Sequence, residues 1–156
     1  DDKWEFYSDW AVKGQAYKNK LLQLVDEVTN AFNKIIEGFR MPKSTDEEKE
    51  ARKQAIEKAT IYATEIPFQV METAYNSMEV MQTMLKEGMQ SSISDAGVGA
   101  LCARTAVVGA YFNVRINAKD IKDRVFAEDI LAKSEVIYKK ALTIEKEVVE
   151  FIMSKV

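Results

Sequence analysis

Apolar residues return along this chain at steps of three and four, the spacing that places them on one face of an α-helix. The first run is Phe6, Trp10, Tyr17, Leu21, Leu24, Val25, Val28, Phe32, Ile35 and Phe39, and it predicts one long helix from Asp2 to Phe39. Arg40-Met41-Pro42-Lys43 should end it, because the residue before a proline is pushed out of helical angles. A second helix should start at Ser44-Thr45-Asp46-Glu47-Glu48, where Thr45 with Glu48, or Ser44 with Glu47, has capping-box spacing. Pro67 lies inside the apolar run that follows and predicts a kink or restart. Phe68, Met71, Tyr75, Met78, Met81 and Leu85 continue the stripe to Gly88, a plausible C-terminal cap. After a polar turn at Met89–Ser92, the stretch Ser94–Asn117 carries small residues at Ala96, Gly99, Ala100, Ala103, Ala106 and Ala110. Between Ala96 and Val114 its only charge is Arg104. A helix apolar nearly all round is expected at the centre of a bundle, with Ser94 or Asp95 capping its start. Asp120 would then cap a last helix carrying Ile130, Ile137, Ala141, Ile144, Val148 and Phe151. The pattern predicts an all-α fold: an antiparallel bundle of four long helices, one broken at Pro67, forming a single domain over residues 1–156.

Composition narrows the chemistry. The formal charge is −3 and no basic stripe is present, so nothing points to nucleic acid. The apolar stretch approaches the ~20 residues that span a bilayer, but Arg104 would sit near its middle and its neighbours are amphipathic, so no membrane is expected. The lone cysteine, Cys102, falls in that stretch, excludes an intrachain disulfide and reads as a buried thiol in a reducing compartment. There is no histidine, which removes histidine-dependent nucleophiles and histidine metal sites and leaves proton transfer to Asp, Glu, Lys, Tyr, backbone or water.

Three local features stand out. Asn113, Arg115 and Asn117 follow the apolar helix and could bind a carboxylate or phosphate, or else anchor the helix end to nearby carbonyls. Asp95 is either a cap or an active carboxylate. Asp26 sits at the edge of an apolar face, where partial desolvation would suit it to proton transfer or where it is simply solvated.

Taken together, Leu24-Val25-Asp26-Glu27, Ala31-Phe32, Phe39-Arg40-Met41-Pro42-Lys43, Glu65-Ile66-Pro67, Ser94-Asp95-Ala96-Gly97-Val98 and Gly109 through Asn117 resemble the formimidoyltetrahydrofolate cyclodeaminase family. That family includes the C-terminal domain of formimidoyltransferase-cyclodeaminase and the methenyltetrahydrofolate cyclohydrolases. The resemblance implies a cytoplasmic, usually dimeric lyase of one-carbon metabolism and histidine degradation. Its partners would be a tetrahydrofolate derivative, a second copy and a formimidoyltransferase domain, with no metal or redox cofactor beyond the folate substrate. The implied reaction closes 5-formimidoyltetrahydrofolate to 5,10-methenyltetrahydrofolate with loss of ammonia; the cyclohydrolase reaction and a non-catalytic folate-binding or oligomerising bundle are the alternatives. Carried onto this chain, the resemblance assigns Asn113, Arg115 and Asn117 to substrate binding and Asp26 to catalysis, with Asp95 as a secondary candidate. Val28 occupies the position of the family's second aspartate, associated with the acid–base role. A glycine-rich Pro-Gly-Gly-Gly-Ser segment of the family has no counterpart here, which suggests a chain truncated at its N-terminus.

Overall fold

The computed structural model describes residues 2–155. Four helices account for nearly all of them: α1 (Asp2–Arg40), α2 (Asp46–Glu87), α3 (Ile93–Ala118) and α4 (Arg124–Met153), with a 3₁₀ turn at Gln90–Ser92. No strand occurs among the described residues.

Short connections make each helix antiparallel to the next. Thr45 caps α2: the Glu48 amide donates to its hydroxyl at 3.1 Å, and the Glu48 carboxylate accepts from the amides of Thr45 and Ser44 at 3.2 and 2.7 Å. Such a cap contributes about 1 kcal/mol. The α4 cap is Asp123 rather than the expected Asp120; its carboxylate accepts from the Phe126 amide at 3.0 Å. Glu57 of α2 reaches the same corner and accepts from the amides of Lys122 and Asp123. At the head of α3 the cap is Ser92, which makes no side-chain capping bond, so neither Ser94 nor Asp95 fills that role. The 3₁₀ turn moves the helix start upstream of both.

The hub of the bundle is α2, not α3. It packs against α1, α3 and α4, whereas α1 and α3 flank it without forming an interface of their own. Met71, Ala74 and Met78 of α2 meet Ala100, Ala103, Val107, Ala110 and Val114 of α3, with Ile130, Ala141 and Val148 of α4 closing the core. The small residues of α3 let the backbones approach along this one face. The opposite face of α3 leaves Val98, Phe112 and Ile116 in solvent, and Cys102 is exposed rather than buried. Low polarity had suggested burial on every side; one side alone is buried. The same apolarity makes α3 long and apolar enough to cross a bilayer by length and composition, yet its buried face is committed to α2 and α4.

α2 also runs through Pro67 as one helix, so the expected break is absent. A proline inside a helix removes the N–H that would bond the carbonyl four residues back, here that of Ala63. Asn117 at the end of α3 replaces the missing donor: its Nδ2 gives a hydrogen bond to the Ala63 carbonyl at 2.8 Å. An unpaired carbonyl at this buried position would cost about 1–3 kcal/mol.

α1 is tied to α2 near its start by a polar cluster. The Tyr17 hydroxyl donates to Glu79, and Lys13 pairs with the same carboxylate at 2.8 Å. Burial, the hydrogen bond to Glu79 and its negative charge push the Tyr17 phenol up to about 12. Burial alone would raise Glu79, but the bonds from Lys13 and Tyr17 outweigh it and hold the carboxyl below its usual range. The folded chain therefore keeps the Tyr17 proton where an unfolded chain loses it, and this contribution to stability declines as pH rises from the ordinary tyrosine value toward 12. The Glu79 contribution is present above the ordinary carboxylate value and is lost as pH falls through the lowered one. In a spectrophotometric titration of the six tyrosines, one should ionise last, near pH 12, and Glu79→Gln should bring that step down.

Candidate functional site

The largest grouping of the residues singled out by sequence lies where α1, α2 and α3 converge. A cavity of about 260 Å³ is walled by Val28, Phe32 and Ile35 of α1, Pro67 of α2, and Asn113 and Asn117 of α3. The heptad-like step from Val28 to Ile35 puts the α1 residues on one face, and the step from Asn113 to Asn117 does the same on α3. Its wall is apolar except for two carboxamides. Asn113 directs its amide back to the Gly109 carbonyl at 3.3 Å, a loose bond at an exposed position. Asn117 is held by the Ala63 carbonyl. Such a wall can seat a flat, partly polar ring and offer hydrogen bonds to its edge. Among the described residues, no carboxylate, amine or phenol lines it.

The other candidates lie elsewhere. Asp26 is exposed and turned away from the cavity, because two residues along a helix rotate a side chain to the far side. Of the two readings open for it, its exposure matches the solvated one. Glu27 is drawn the other way and accepts a hydrogen bond from Tyr62, whose phenol is pushed up mainly by that bond. The Lys34 ammonium covers the Tyr62 ring at 4.1 Å, completing a polar cluster behind α1. Arg115 is exposed and lies over the Tyr111 ring at 5.6 Å, and Tyr111 in turn stacks on Tyr138 of α4 at 4.7 Å. It therefore flanks the α3–α4 interface, not the cavity that Asn113 and Asn117 enter. Asp95 lines a second, larger cavity of about 420 Å³ with Tyr7, Met81, Met84 and Gly99, a helix length from the first.

Sequence reasoning missed Phe32, Ile35 and Pro67 as walls. For Pro67 a signal existed: a proline within a helical pattern leaves a carbonyl free four residues back, and that carbonyl needs a donor.

The sequence profile described as Formiminotransferase-cyclodeaminase matches residues 1–136. The chain belongs to this family. Among family relatives, a methenyltetrahydrofolate cyclohydrolase from Methylorubrum extorquens is 31% identical over 92% of this chain and 69% of its own length. Formimidoyltransferase-cyclodeaminase from Mus musculus is 38% identical over 70% of this chain, which spans a fifth of that protein. The formiminotetrahydrofolate cyclodeaminase structure from Thermotoga maritima superposes with a TM-score of 0.77 over 90% of this chain and 66% of the other, at 19% identity. That likeness establishes the helical fold. The family profile, on relatives named for both reactions, places the chain in a folate-dependent cyclodeaminase and cyclohydrolase group.

Proposed function

We propose that the cavity between α1, α2 and α3 receives a tetrahydrofolate derivative, and that this chain binds it without closing the N5–N10 bridge efficiently. The observation that carries the reading is the meeting of Val28 with Asn113 and Asn117 on one cavity wall. The two carboxamides suit the polar edge of a pterin, and Phe32 and Pro67 suit its faces.

Cyclodeamination is intramolecular: N10 attacks the formimidoyl carbon held on N5 and loses its proton, the departing nitrogen gains one, and ammonia leaves. Positioning supplies much of the acceleration, and what remains is proton transfer. The cyclohydrolase reaction acts on the same bridge with water and has the same requirement. Valine at position 28 cannot carry a proton, and no other wall residue titrates near neutral pH.

The test is calorimetric titration with 5-formimidoyltetrahydrofolate and with 5,10-methenyltetrahydrofolate, alongside methenyl absorbance. Saturable binding with little turnover supports the reading. Efficient turnover of either compound by the unaltered chain overturns the non-catalytic half, and absence of binding overturns the whole. A companion expectation concerns Arg115. Since it lies over Tyr111, Arg115→Ala should cost about 0.5–1 kcal/mol of stability and leave folate affinity unchanged. Loss of folate affinity in that variant would bring Arg115 back into the site. A second copy, a fused transferase domain and a cytoplasmic location belong to the same proposal, on the strength of the family resemblance.

A further inference from the structure

The two carboxamides on the cavity wall are turned by the carbonyls they hold. A backbone carbonyl has lone pairs and no hydrogen, so only the NH2 side of a carboxamide can face it. Asn113 gives its Nδ2 to the Gly109 carbonyl at 3.3 Å, one turn back on its own helix. Asn117 reaches instead across to α2 and gives its Nδ2 to Ala63 at 2.8 Å. In each planar amide the oxygen then lies on the side away from that carbonyl. Neither Oδ1 is met by a donor among the described residues. Asn113 is exposed, and the Asn117 oxygen is not among the sealed, unpaired polar atoms, so both oxygens can be reached.

The orientation of Asn117 is set from a distance. The Ala63 carbonyl is free because Pro67, four residues on, has no N–H to give it. An N–H at position 67 would occupy that carbonyl, and the carboxamide would lose the partner that decides which way it points. Asn113 and Asn117 stand one turn apart, with about 5–6 Å between their Cβ atoms. Two acceptors so spaced suit two N–H donors on one side of a ring with an atom between them. In a tetrahydropterin the 2-amino group and N8–H are placed in that way, flanking N1. In an aromatic pterin N8 has a lone pair and no hydrogen, and it would meet a carboxamide oxygen as one acceptor against another.

We infer that Pro67 is a positioning residue for recognition: by freeing the Ala63 carbonyl it fixes Asn117 so that both wall carboxamides present oxygen, which selects the 2-amino and N8–H side of a reduced pterin over an aromatic one. This role rests on the cavity being a folate site.

The experiment is anaerobic calorimetric titration with tetrahydrofolate and with folic acid, which share a tail and differ in the ring. The unaltered chain should bind the reduced compound about tenfold or more tightly than the aromatic one, the scale of one hydrogen bond gained and one acceptor clash avoided. In Pro67→Ala the Ala63 carbonyl regains its helical donor, Asn117 is free to turn, and the preference should fall severalfold. Pro67→Ala with Asn117→Asp has the same altered wall but only oxygens at position 117, so the preference should return. The added charge acts on both compounds alike and cancels in the ratio. An unchanged preference in Pro67→Ala, or an equal loss in both variants, overturns the role of Pro67, since a change of wall shape alone would treat them the same. Tetrahydrofolate binding with no preference over folic acid overturns this inference and leaves the folate site standing; binding of neither overturns both. A ligand-free measurement checks the orientation even if the double variant fails to fold. In side-chain amide NMR, Asn117 should show one slowly exchanging Nδ2 proton that Pro67→Ala releases, and two fast-exchanging protons in the unaltered chain overturn the inference.

Discussion

Asn117→Ala should lower the unfolding free energy by about 2 kcal/mol, and Pro67→Ala should recover most of that loss. The reason is a single carbonyl. In the native chain Ala63 has no helical partner, because residue 67 has no N–H, and the Asn117 carboxamide supplies the bond at 2.8 Å. Removing the carboxamide leaves a buried acceptor unpaired. Restoring an N–H at position 67 gives the carbonyl its ordinary helical donor, so the side chain is no longer needed for that purpose. Thermal or urea unfolding of the two single variants and the double variant completes the cycle. A loss of about 2 kcal/mol corresponds to roughly 4–8 °C in melting temperature for a domain of this length. Strict additivity of the two substitutions would show that Asn117 does not serve the orphaned carbonyl.

Val28→Asp should produce methenyl absorbance from 5-formimidoyltetrahydrofolate where the native chain gives little. Val28 is partly exposed and lines the cavity beside Asn113 and Asn117, so a carboxylate fits there without displacing a core side chain. Phe32, Ile35 and Pro67 would desolvate it and raise its pKa above the usual carboxylate value, toward the range useful for proton transfer. The sign of the stability change follows. An acid whose folded pKa is raised destabilises the native state once pH exceeds the ordinary carboxylate value, and the penalty disappears below it. The variant should therefore melt closer to the native chain in acid than at neutral pH, and its turnover should depend on the ionisation of the new group. Binding of folate by both chains with turnover by neither would show that residue 28 is not the deficient position.

Much of the architecture is written in local patterns. The stripes of α1 and α4, the Thr45–Glu48 box and the stop at Pro42 follow from spacing and capping chemistry within a few residues of one another. Pattern and structure part where a distant partner decides. Pro67 predicts a kink or restart because a helix considered alone has no donor to replace its N–H; α2 does not restart, and the donor comes from Asn117, fifty residues downstream. The apolarity of α3 predicts burial all round, because hydropathy does not distinguish a surface covered by this chain from one that is left open. The site was legible in part for the same reason. Val28, Asn113 and Asn117 share the cavity, but Asp26 and Arg115, close neighbours of these in sequence, point elsewhere because helical rotation separates neighbours.

The attachment of α1 has a consequence for how the molecule opens. This helix is held mainly by its interface with α2, whereas α2, α3 and α4 share a common core. Its release therefore breaks one interface and can occur as a sub-global event below the cost of full unfolding. That event also removes Val28, Phe32 and Ile35 from the cavity. A ligand bridging α1 to α3 would be lost with it, so by mass action ligand binding should slow amide exchange along α1 more than along α4. The helix held mainly by one interface is then the one whose position reports occupancy.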